Sequence, residues 1–187
     1  MAVKTFTTGE VLTAADTNTY LNNGGLVFVK QVTVGTGVTT VNVTSCFSTE
    51  YDNYVVSYAN ITSANDGIAM LCKLLVGTTV NASNFDGNTF YVVTAGAGGL
   101  TNATYTANAI AEIGSLTNVY KNASIFEVKQ PNLATGTMIE FRSVDDNYYR
   151  FGAFVLKNAT QYDGIQILPF NGSLTGGTIT VYGYRKG

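Results

Sequence analysis

No histidine occurs in the 187 residues, so the imidazole that acts as general base in most nucleophile–base pairs is missing, and with it the commonest zinc ligand. No serine sits in a G-x-S-x-G elbow and no G-x-x-x-x-G-K loop is present. The run Gly96 to Gly99 lacks the following helix start that cradles phosphate. One catalytic route stays open, because a glycosidase needs only two carboxyl groups at a set separation across a sugar. Glu127, Glu140, Asp145, Asp146 and Asp163 form the candidate pool. The plainer reading places Glu127 and Glu140 at outward strand positions and puts Asp145, Asp146 and Asn147 in a hairpin turn. No catalytic residue is assigned on that reading, and the chain is expected not to be an enzyme. The same turn gathers hard oxygen ligands, but its spacing fits no EF-type calcium loop. Neither a metal nor a cofactor is expected.

Recognition chemistry has more material. Twelve tyrosines and no tryptophan are present, with Tyr51, Tyr148, Tyr149 and Tyr162 on or near turn sequences. Tyrosine combines flat apolar area with a hydroxyl, which suits a sugar or a protein surface. Asp145, Asp146, Tyr148 and Tyr149 are therefore the candidate surface cluster, against the alternative that such tyrosines simply pack at strand ends. Cys46 and Cys72 stand far apart in sequence, each beside or within an apolar stretch. They are read as two buried thiols, with a mutual disulfide as the alternative.

Charged residues supply only 12% of the chain against 45% hydrophobic, so a core is affordable in composition while the surface must be built from Thr, Asn and Gly rather than from ion pairs. A net charge of -2 provides no basic stripe for phosphates or anionic lipid. Nucleic acid is therefore an unpromising partner. No stretch approaches the roughly 20 apolar residues of a membrane span, and MAVKTFTTGE has no apolar run of the secretory kind. Synthesis in the cytoplasm without membrane insertion is the expectation.

Two parts are expected, an arm at 1–24 and a β domain at 25–187. In the arm, GEVLTAADTNTYLNNGG reads as a short helix, capped by Thr13 with Asp16 three residues on and ended by the glycine pair. At about 8 residues such a helix is too short to stand alone. Phe6, Val11, Leu12, Ala15, Tyr20 and Leu21 are accordingly candidate packing residues, against the chain's own domain or another subunit. Beyond it, period-two alternation dominates: Tyr54, Val56 and Tyr58 share one face, Ile139 and Phe141 oppose Met138, Glu140 and Arg142, and Ile179 and Val181 oppose Thr180, Tyr182 and Tyr184. Around ten such runs, separated by turns such as ANDG, FDGN and LTGG, indicate a β-sandwich or barrel. The stretch TYTANAIAEIGSL is ambiguous between a helix and an edge strand or long loop, and 77–118 reads as an insertion or exposed face.

The segment FTTGEVLTAADTNTYLNNGG, from Phe6 to Gly25, resembles the opening of tailed-bacteriophage minor structural and tail-fibre proteins, where such a segment introduces the particle-bound end. FGAFVLKNATQYDGIQILPFNGSLTGGTITVYGYRKG, and FSTEYDNYVVSY upstream, are similar to the closing and early strands of phage β-sandwich domains. The resemblance implies an all-β, jelly-roll-like antiparallel sandwich behind a short arm with one short helix, and a homotrimer. It implies a virion structural protein on the tail or capsid surface that docks to other virion proteins through the arm. A tail fibre or host-attachment module, binding a host cell-surface glycan or protein, is the leading expectation. Capsid decoration or a head spike is the alternative that the short chain favours. This chain departs from the long fibres in having no collagen-like repeat and no Trp-rich face.

Overall fold

Strict alternation of buried and exposed side chains along Thr137–Val144 is what a strand with one face on a core and the other turned outward must show. The same pattern, in varying strength, organises the computed structural model, which describes residues 7–11, 13–16, 25–81, 85–93, 99–108, 110–145 and 148–186. Fourteen strands are described: β1 (Leu26–Thr33), β2 (Val41–Val43), β3 (Tyr51–Ser63), β4 (Ile68–Val76), β5 (Thr79–Asn81), β6 (Phe85–Val93) and β7 (Leu100–Asn108). They continue as β8 (Ala111–Leu116), β9 (Asn122–Lys129), β10 (Thr137–Val144), β11 (Tyr148–Leu156), β12 (Gly164–Pro169), β13 (Leu174–Thr175) and β14 (Thr178–Arg185). Every pairing among them is antiparallel.

Strand order defines the fold. One sheet runs β1-β14-β3-β9-β10-β11-β6-β7, and the other runs β2-β12-β4, with β8 and β5 sharing the far edge of β4. Within them, β1-β14-β3-β9 faces β2-β12-β4-β8, the eight-strand double Greek key of a jelly roll. Two insertions enlarge it. The segment β5–β7 enters between β4 and β8, the hairpin β10–β11 enters between β9 and β12, and β10, β11, β6 and β7 all extend the first sheet beyond β9. The fold is thus an all-β, jelly-roll-like antiparallel sandwich.

Its core is the set of inward positions from both sheets. Tyr54, Val56 and Tyr58 of β3, with Ile139 and Phe141 of β10, meet Met70, Cys72 and Leu74 of β4 and Ile165 and Ile167 of β12. The faces expected from alternation in β3, β10 and β14 are those observed. Both cysteines are buried and free. Burial pushes the Cys46 thiol up to about 12, and Cys72 moves in the same direction for the same reason.

In the ambiguous TYTANAIAEIGSL the described residues include no helix, and the edge-strand alternative holds for its first part. The stretch contributes the end of β7, the edge of the large sheet, and then β8, all six of whose residues are buried. Helix-like composition misleads there because β8 is squeezed on both faces. A Cβ at Gly114 would collide with the Tyr58 hydroxyl, so small residues are demanded by space rather than by propensity. In the arm, a single helical turn, α1 (Ala14–Asp16), is described. The rest of the expected helix falls at 17–24, outside the described residues. The Glu10 carboxylate accepts from the Thr7 amide at 3.1 Å and closes the turn ahead of α1.

Candidate functional site

The strands added to the jelly roll have two faces, and the inner one is occupied by a buried polar clamp. Arg150 of β11 points inward, and its Nη1 donates to Glu112 Oε1 of β8 at 3.0 Å, with 13% and 4% of the two side chains exposed. The Tyr105 hydroxyl donates to the other Glu112 oxygen at 3.2 Å, and the guanidinium lies 4.9 Å from the Tyr148 ring centre. Burial beside Glu112 pushes the Tyr105 phenol above the ordinary range. This cluster pins the extension to β8.

The outer face carries a different set. Register places outward side chains in cross-strand rows, one running Val55, Glu127, Glu140, Ala153 and Asn88, the next Ser57, Ile125, Arg142, Phe151 and Phe90. Over β9, β10, β11 and β6 these rows enclose a groove of about 420 Å³, within the size range of ligand sites. A second hollow of about 330 Å³ adjoins it, sharing Glu140 and Ala153 and continuing toward Met138 and Val155. Phe151 stacks on Phe90 with ring centres 5.4 Å apart and 18° between planes, and Tyr149 leans on Phe151 at 5.6 Å. Ala153 leaves the floor low between Glu140 and Asn88. Gly152 lets the Phe141 ring close the floor from beneath, because a Cβ there would lie 2.7 Å from that ring.

Glu127 and Glu140 are directly opposed across β9 and β10, an arrangement of like charges that destabilises a sheet unless offset. Lys129 supplies the offset, at 2.7 Å from Glu140 and 3.6 Å from Glu127. The bond to Glu140 in turn holds the Lys129 ammonium above the ordinary lysine range. The Tyr184 hydroxyl donates to Glu127 at 3.1 Å, and partial burial, then this carboxylate, raises its pKa. The Arg142 guanidinium makes no ion pair among the described residues and is available to a ligand.

Of the surface residues expected from the sequence, Asp145, Tyr148 and Tyr149 are described, and of these only Tyr149 reaches this groove. Tyr148 faces inward over Arg150 and meets Tyr91 edge-on. Asp145 accepts from the Ser115 hydroxyl and from the Tyr148 amide, closing the β10–β11 hairpin. Asp146 lies outside the described residues, as do Phe6, Leu12, Tyr20 and Leu21 of the arm. Val11 is 78% exposed and Ala15 is exposed, so neither packs on this chain's own sandwich. Asp163 is bound into the core rim, where its carbonyl receives the Cys46 and Phe47 amides. Among the described residues no three metal-ligating side chains come together.

Phe90, Ile125, Arg142 and Phe151 were not foreseen as site residues. A signal existed for Phe151 alone: YYRFGAFVL carries aromatic rings in both of its phases, so a strand with only one face on the core must show some of them outward. The chain matches no family model, and no curated protein matches it.

Proposed function

We propose that the chain is a bacteriophage virion structural protein, a host-attachment module of tail-fibre type, and that it is not an enzyme. The observation that carries the reading is the aromatic groove on the outer face of β9 and of the strands inserted beside it. The insertions are tied to β8 from within by Glu112 and Arg150, while Phe151, Tyr149, Ile125 and Arg142 point outward. Such a division of labour suits a rigid scaffold presenting a contact surface. The arm supports the other half of the reading, since apolar Val11 stands exposed and an arm of this resemblance docks to other virion proteins. Trimerisation belongs to the same proposal, as does residence on the particle surface.

Catalysis is the weaker reading of Glu127 and Glu140. A glycosidase places its acids on either side of the scissile bond, whereas these two share one row, one lysine and one wall. A capsid decoration or head-spike role uses the same arm, and imaging of particles separates it from a tail position. The attachment reading is tested by adding purified protein to host cells. It is expected to bind them and to slow phage adsorption in competition. Absence of both effects overturns it.

A further inference from the structure

We propose that the groove over β9, β10, β11 and β6 is a binding site for an uncharged oligosaccharide, a step that rests on the attachment reading and names the ligand class for it. A pyranose has a face of C–H groups and a belt of hydroxyls, so its site needs an aromatic face beside paired hydrogen-bonding groups. Both are present on one side of the sheet. Phe151, stacked on Phe90 at 5.4 Å and flanked by Tyr149, supplies the aromatic part of the lining, and C–H hydrogens are attracted to the ring faces that the stack leaves open. Beside it stand Arg142, a planar donor fork free of ion pairs among the described residues, and Glu140, whose Oε2 is held by Lys129 at 2.7 Å. A guanidinium and a carboxylate each bridge two neighbouring hydroxyls in bidentate fashion.

Charge selects within the sugars. Glu127 and Glu140 stand against Lys129 and Arg142, two negative and two positive groups on adjoining positions of β9 and β10. An acidic glycan would meet the two carboxylates and a cationic ligand the two bases, so the site matches a neutral chain. Length points to more than one ring. The groove and its continuation run along β11 from Tyr149 to Val155, roughly 20 Å at ~3.3 Å per residue. The low floor at Ala153, between Glu140 and Asn88, leaves space for a ring beyond the aromatic platform.

The test uses the full-length protein on an immobilised panel of neutral hexose and N-acetylhexosamine oligosaccharides, with sialylated and sulfated glycans alongside. Binding is expected among the neutral members, and a titration of the bound glycan is expected to weaken at least about tenfold in Phe151→Ala and in Arg142→Gln. Ala153→Phe fills the floor from an outward position, so it is expected to abolish binding while the unfolding midpoint stays near wild type. Preference for acidic glycans, no glycan bound, or binding unchanged in Ala153→Phe overturns the proposal. So does loss of an oligomer, without any sugar binding, in Phe151→Ala, which would make the groove an interface between copies. Host-cell binding measured on the same variants separates the two readings. Cells still bound by Ala153→Phe would sink the groove proposal alone, and neutral glycan bound without any binding to cells would sink the attachment reading alone.

Discussion

Tyr58 and Gly114 meet where β3 of the large sheet faces β8, and the glycine has no room for another carbon because the tyrosine hydroxyl lies directly over it. Gly114→Ala is therefore an overpacking change, expected to cost about 1–3 kcal/mol and to lower the urea midpoint without altering the slope. The two cysteines bear on pH in a way their sequence positions did not disclose. A thiol that ionises less readily in the folded protein than in the unfolded chain adds stability that is complete below the unfolded pKa of about 8.5. That contribution declines as pH rises toward the folded value, which burial pushes up to about 12 for Cys46. Stability should therefore fall between about pH 9 and 12, with a limiting slope near 1.4 kcal/mol per pH unit for each thiol. Urea unfolding at pH 7, 9 and 10 checks it, and Cys46→Ala is expected to flatten the alkaline decline. An unchanged midpoint across that range would contradict the burial of these thiols.

Strands whose two faces differ were legible from the residues. In TMIEFRS the apolar phase is the buried phase, and the same holds for the Tyr54, Val56 and Tyr58 face of β3. β8 was not legible, since a strand buried on both sides has no alternation to read and its small residues imitate a helix. β5 and β13, at three and two residues, are shorter than any pattern can report. Strand order was hidden for another reason: Glu127 and Glu140 meet across consecutive strands, but the meeting of Phe151 with Phe90 depends on β11 pairing with β6, far away in sequence. Turn chemistry marks where strands end without saying which of them pair. The clamp of Arg150 and Glu112 joins two such segments, β11 and β8. Arg150→Met leaves Glu112 buried without its cation, so a loss of about 3–5 kcal/mol is expected. Amide exchange should show the added instability in β6, β7 and β11 before the jelly-roll strands. Uniform acceleration across the whole sandwich would indicate that the insertions are not a separate layer of stability.

For the whole molecule, the core cluster among the described residues draws on no arm side chain, and Val11 is 78% exposed. Deleting residues 1–24 should leave a domain that unfolds in one cooperative transition yet no longer enters particles. Loss of that transition would place the arm in the core. The trimer implied by resemblance is expected to give apparent stability that rises with protein concentration, because assembly involves only folded chains. A monomer at micromolar concentration in sedimentation would contradict it. The jelly-roll topology was anticipated through resemblance, which carries fold but not a surface: Phe151 and Ala153 stand inside the resembling C-terminal stretch, and only the pairing of β11 with β10 and β6 shows that they line a groove. Imaging of intact particles at residue resolution tests the central claim most directly. The expected result is the jelly roll seated through residues 1–24 on the tail, with Phe151 and Arg142 facing outward. A particle that carries no copy of the chain, or one whose copies bury that face against the particle, would contradict it.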